Sequence, residues 1–345
     1  MEVVAVSRSG GPGRCTGVTS STTPLPAATG HAPGAAGDAP PSSSAARRRP
    51  EETLALAAAL VTVLLWGSAF VGIRAAGEDL SGGALALGRL LVATVALGGI
   101  LLFQRRRDAR AGKQRGGFPR ERRDLMLLAA CGLLWFGAYN VVLNEGERRV
   151  DAGTAAMLVN IGPILIAILA GLLLSEGFPP TLVRGLAIAF AGAVVIGLAT
   201  RGTSTDAAFG AVLCVGAAVL YAAGVVSQKP LLGRYPAAEI TFAACAIGTV
   251  VTLPFAPTLL RELQDADTEA IAWMVYLGAF PTALAFSTWA YALQRTTAGR
   301  MGAFSYLVPP VAVVLGWVLL SESPPAAALA GGALCLAGVA YTRRG

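Results

Sequence analysis

The chain has 345 residues, of which 54% are hydrophobic and only 14% charged, with a formal net charge of +7. The charges gather between long apolar runs, a distribution that excludes an ordinary soluble domain. Apolar stretches of the roughly 20 residues needed to cross a bilayer recur from Leu54 almost to the C-terminus, so a membrane surrounds most of the molecule.

Residues 1–50 are rich in Pro, Gly, Ser, Ala and Thr and read as a disordered tail. They hold no continuous apolar core of a signal peptide, and Arg47, Arg48 and Arg49 read as a cytoplasmic flank. The single histidine, His31, falls in this tail, which leaves the apolar body without an imidazole for metal binding or acid–base chemistry. Cys15 is also in the tail, whereas Cys131, Cys214, Cys245 and Cys335 sit within apolar segments, so no extracellular disulfide framework follows.

The fold class is all-α and integral to the membrane, with ten transmembrane helices. A first half, residues 51–200, carries spans at roughly Leu54–Ile73, Gly82–Phe103, Leu125–Leu143, Ala152–Leu174 and Thr181–Thr200. A second half, residues 201–345, carries them at roughly Ala207–Val226, Ile240–Leu260, Ala270–Leu293, Met301–Leu320 and Pro325–Tyr341. With a cytoplasmic N-terminus, the basic run from Arg105 to Arg123 between spans two and three lies inside, as do Arg184, Lys229, Arg234, Arg295, Arg300, Arg343 and Arg344. The positive-inside rule then puts both termini in the cytoplasm. A run of arginines also attracts phosphates, but a topogenic loop lying on anionic lipid head groups explains it without nucleic acid.

The two halves repeat one another. Residues 149–192 align without gaps to residues 295–338, matching Arg149 with Arg295, Ala152-Gly153 with Ala298-Gly299, and Pro163 with Pro309. Leu173-Leu174-Ser175-Glu176 recurs as Leu319-Leu320-Ser321-Glu322, and Ala191-Gly192 as Ala337-Gly338. Five spans per half is an odd number, so the second copy threads the membrane in the opposite sense and the two five-helix repeats are inverted.

Trp66-Gly67-Ser68-Ala69-Phe70 in span one, Arg89 in span two, and the Ala-Gly, Pro and Ser-Glu pattern of spans four and nine resemble the EamA branch of the drug/metabolite transporter superfamily. The resemblance covers about Leu54 to Arg344 and implies a bacterial inner-membrane carrier with a central cavity between its halves, working by alternating access. It further implies export of small metabolites, amino acids or related compounds above all. Small multidrug exporters of that superfamily use a membrane-embedded Glu in span one; Leu54–Ile73 has no acid, which disfavours cationic drugs.

Candidate substrate-binding residues follow from polarity within the spans. Arg89 is the one charge well inside a span and suits a carboxylate or phosphate; capping neighbouring carbonyls is its alternative role. Trp135 and Tyr139 share a helix face, with Asn140 beside them, and line either a cavity or an interfacial aromatic belt. Asn160 and Tyr306 each stand three residues before a mid-span proline; Pro163 and Pro309 free nearby carbonyls and read as hinges or as tolerated kinks. Trp66, Ser68, Tyr221 and Trp289 complete the set, with Trp66 and Tyr221 at comparable places in the two halves. Glu176 and Glu322 read as structural helix ends, and no carboxylate is found deep in a span to carry a coupling proton.

No catalytic residue, metal site or cofactor is expected. An intramembrane protease needs paired aspartates or a Ser with a His partner, and no phosphate-binding loop of the G-x-x-x-x-G-K-[ST] type is present. The partners expected are a small-molecule substrate and membrane lipids, with a homodimer left open. A membrane sensor or scaffold, or a carrier of drugs, nucleobases or lipid-linked sugars, is the alternative.

Overall fold

The structure is a computed structural model and describes residues 43–112, 117–149, 155, 158–200, 207–320 and 326–342. Every regular element among them is helical. In chain order these are α1 (Ser43–Ala76), α2 (Gly82–Arg110), α3 (Arg122–Glu147), α4 (Gly162–Leu173), α5 (Pro180–Thr200), α6 (Ala207–Leu232), α7 (Ala237–Asp265), α8 (Thr268–Arg295), α9 (Ala298–Phe304), α10 (Val308–Leu320) and α11 (Ala326–Thr342). Of the ten expected spans, six correspond to described helices long and apolar enough to cross a membrane, within α1, α2, α3, α6, α7 and α8. Shorter apolar helices occupy Gly162–Leu173, Pro180–Gly192 and Leu329–Thr342. The chain is thus a multi-pass membrane protein.

Two expectations shift at the element boundaries. The tail expected over residues 1–50 overlaps the start of α1 at Ser43, while residues 1–42 lie outside the described residues. Span three, expected to stop at Leu143, runs a further turn to Glu147, because Asn144, Glu145 and Gly146 contain no helix breaker strong enough to end a helix held on both sides. Ala152, Gly153, Ser321 and Glu322 of the repeat lie outside the described residues.

The molecule is apolar outside and holds its polar side chains inside, the distribution a bilayer requires. Val95, Phe103, Leu172, Val212 and Val318 are exposed, whereas Arg89, Asn140, Asn144, Asn160, Thr249 and Thr282 are buried. Two helices depart from α geometry. A π segment interrupts α3 at Cys131–Ala138, and another interrupts α8 at Gly278–Leu284, where Pro281 removes a hydrogen-bond donor.

Packing between the helices is reciprocal. α2 packs on the π segment of α8, α7 packs on the π segment of α3, and α4 meets α9. α5 and α11 press together through glycines: a Cβ on Gly192 would lie 2.5 Å from the Gly331 carbonyl oxygen, and one on Gly338 2.5 Å from the Ala189 nitrogen. Such small-residue seams let helix backbones approach in a lipid environment, where apolar burial does not drive association. At another helix end the Glu176 carboxylate accepts the Ala298 N–H at 2.8 Å and the Gly299 N–H at 3.1 Å, capping α9 with the negative charge a helix N-terminus favours. That agrees with the structural role expected of Glu176.

Candidate substrate cavity

Aromatic residues from four helices form the cavity's wall. Trp66 of α1 packs within 6.3 Å of Trp135 of α3, 6.2 Å of Tyr221 of α6 and 5.6 Å of Phe286 of α8, measured between ring centroids. These contacts are edge-on, the arrangement ring quadrupoles prefer. Trp289 lies 4.9 Å from Trp66 but is not among the residues that line the cavity, so it stands behind the wall rather than on its surface.

A polar end closes the same space. Arg89 is 4% exposed and donates from Nε to Thr282 Oγ1 at 3.1 Å; Thr282 in turn donates to the Leu277 carbonyl, five residues back, a bond the π segment of α8 creates. Asn140 is held in the same manner, its Nδ2 donating to the carbonyls of Phe136 and Trp135. The two π segments therefore fix the two polar groups, in keeping with the recurrence of such bulges at functional positions. Tyr139, Asn160, Glu147 and Ser305 also face the cavity, and Ser305 Oγ lies 2.7 Å from Tyr221 Oη.

Of the residues singled out from the sequence, Trp66, Arg89, Trp135, Tyr139, Asn140, Asn160, Tyr221 and Pro163 are brought together around this one cavity. Asn160 sits in a turn that breaks the helix just before Pro163, so the interruption expected there is present. Ser68 and Tyr306 stand away from the cavity. Ser68 turns from the cavity, donating to the Leu65 carbonyl and meeting Tyr276 Oη at 2.7 Å, which ties α1 to α8. Tyr306 falls in the 3-10 turn Ser305–Leu307 but packs into a buried cluster with Val63, Leu186 and Ala189. Pro309, read from the sequence as a hinge, is buried near the start of α10.

Glu147 and Phe286 are the chief residues missed. Glu147 ends α3 rather than lying deep within it, yet its carboxyl group lines the cavity. Its signal was present: Trp135, Tyr139, Leu143 and Glu147 recur every fourth residue, and all four line the cavity. Phe286 is what the repeat places opposite Asn140 when the alignment is carried one span upstream.

The EamA-like transporter family matches the chain twice, over residues 53–198 and again over residues 208–344. The chain belongs to this family. The cavity draws on both matched segments, with Trp66, Arg89 and Trp135 from the first and Tyr221, Phe286 and Ser305 from the second. A protein of Streptantibioticus cattleyicolor named "Probable terminal-alkyne amino-acid exporter" is 39% identical over 83% of this chain and 92% of its own length. An uncharacterized transporter of Archaeoglobus fulgidus is 30% identical over 81% of this chain and 95% of its own. A "Probable amino-acid metabolite efflux pump" of Salmonella typhimurium is 26% identical over 81% of this chain and 92% of its own. A solved crystal structure shares the fold, with a TM-score of 0.65 at 19% identity, covering 84% of this chain and 98% of that one. Family and relatives together make the EamA chain a metabolite transporter in a membrane, acting on a small molecule.

Proposed function

We propose that this EamA transporter is a secondary carrier that exports amino acids or close relatives across the cytoplasmic membrane by alternating access. In this reading ten spans form two inverted halves, both termini are cytoplasmic, and the substrate sits between the halves. One observation carries the reading: a buried cationic side chain and an aromatic wall meet in a single cavity to which both family-matched segments contribute. Arg89 supplies a carboxylate partner that a cationic drug would not use, and Trp66, Trp135 and Tyr221 supply faces for an aliphatic or unsaturated side chain. The names of the Streptantibioticus and Salmonella relatives support amino-acid cargo. A cavity of about 70 Å³ favours small cargo over lipid-linked sugars.

The inverted repeat draws support from the packing. Each π segment lies on the second helix of the other half, and the α5–α11 glycine contact reads the same from either side. Two halves related in this way can exchange conformations, which turns an inward-open carrier into an outward-open one.

The test is uptake into proteoliposomes holding the purified chain, with a labelled amino-acid mixture, with and without a pH gradient, beside the Arg89→Ala variant. Saturable uptake lost in the variant is the expected result. Absence of uptake under every gradient would overturn the amino-acid reading.

A further inference from the structure

We propose that Glu147 binds the ammonium group of the substrate while Arg89 binds its carboxylate, so that the cavity selects zwitterions over carboxylates that lack an amine. This rests on the carrier reading above and names the group that sets its specificity.

Glu147 closes α3 and lines the cavity together with Arg89. Its Oε1 is buried and finds no hydrogen-bond partner among the described residues. Arg89 is engaged through Nε with Thr282, and among the described residues no ion pair joins it to Glu147. A guanidinium and a carboxyl group thus face one small space without bonding to each other directly. A buried carboxylate oxygen left without a hydrogen bond is costly. Its presence is explained when a ligand completes the pairing.

Charge balance makes the selection. Arg89 and Glu147 sum to zero, so a zwitterion satisfies both charges without adding any to a low-dielectric site. A bare carboxylate pairs with Arg89 and leaves Glu147 unmatched, and a bare amine does the reverse. The aromatic wall formed by Trp66, Trp135 and Tyr221 adds cation–π attraction for the ammonium and apolar contact for the side chain.

The probes are L-propargylglycine, a terminal-alkyne amino acid, and 4-pentynoate, the same skeleton without the amine. Each is titrated against the purified full-length chain in detergent, with quenching of the cavity tryptophans as the signal. The wild type is expected to bind the amino acid more tightly than the des-amino acid by about tenfold or more, the size of a charge-assisted hydrogen bond. Glu147→Gln should abolish that preference while 4-pentynoate binds at least as tightly as to the wild type, which also reports that the variant is folded. Arg89→Gln should weaken both probes. Unchanged binding of both probes to Glu147→Gln, with loss only of pH-gradient-driven accumulation in proteoliposomes, would assign Glu147 to a coupling proton and overturn the proposal. Loss of both probes in Glu147→Gln would overturn it in favour of a structural role. Wild-type protein that binds 4-pentynoate but not the amino acid would overturn the pairing and leave a carrier of carboxylates standing. Binding of neither probe, with no amino-acid uptake, would overturn the carrier reading with it.

Discussion

Among the described residues Arg89 is held by one side-chain bond, to Thr282 Oγ1, and that bond decides where the guanidinium points. Thr282→Val keeps the side chain's volume while removing the acceptor, so Arg89 stays in the cavity with its orientation loosened. Hydrogen bonds to charged groups contribute about 1.5–3 kcal/mol, and the half-saturation concentration for amino-acid uptake should rise by about tenfold or more with the protein still folded. Gly224 sets the position of Trp135 from outside the cavity, since a Cβ there would lie 2.3 Å from Trp135 Cβ. Gly224→Ala should therefore displace the indole, cost about 1–3 kcal/mol of stability, and shift tryptophan emission, all without touching a substrate-facing atom. Arg89 was legible in the sequence because charge inside a span is costly and rare, and Trp135 and Tyr139 because they share a face. Glu147 was legible only from its four-residue spacing behind Trp135, Tyr139 and Leu143, since hydropathy falls through Asn144-Glu145-Gly146 and an average cannot tell a helix leaving the membrane from one turning polar toward a cavity. Ser68 and Tyr306 lie away from the cavity for another reason: polarity marks a residue that needs a partner, and Ser68 finds its partners in Leu65 and Tyr276.

At the scale of elements, the periodicity of apolar residues reveals helices but not their local geometry. Nothing in Cys131–Ala138 announces a π segment, and only Pro281 hints at the one in α8. Both depend on packing, α7 against the first and α2 against the second, which no local pattern encodes. The α5–α11 seam was partly visible, because Gly185, Gly192, Gly331 and Gly338 recur in the repeat, yet their use as a contact between the halves was not. Overpacking this seam has a clear expected cost. Gly192→Leu and Gly338→Leu should each lower the melting temperature in detergent, by about 1–3 kcal/mol of stability or more, since backbone stands on the other side and cannot yield. Comparable losses from the two substitutions, measured by size-exclusion recovery after heating, would match the reciprocity of the contact. A large loss from one alone would count against it.

For the whole molecule, the alternation of apolar runs and charged loops marked a multi-pass membrane protein, and the motifs of spans one, two, four and nine carried the resemblance to the EamA family, to which the chain belongs. Shape within the bundle was beyond their reach, because a cavity is made by residues from helices far apart in the chain, Trp66 meeting Phe286 and Tyr221 meeting Ser305. The four cysteines of the helical body illustrate the difference. From the sequence they are only thiols in apolar runs; in the structure Cys131, Cys214, Cys245 and Cys335 are all free and all buried. A charged maleimide added to the folded chain lacking Cys15 should therefore leave mass unchanged, and incorporation of label would show that the packing opens. The same silence is an experimental asset. With no reactive background inside the bundle, single cysteines placed at either end of the cavity become time-resolved reporters, able to record when each side of this carrier meets water during a transport cycle.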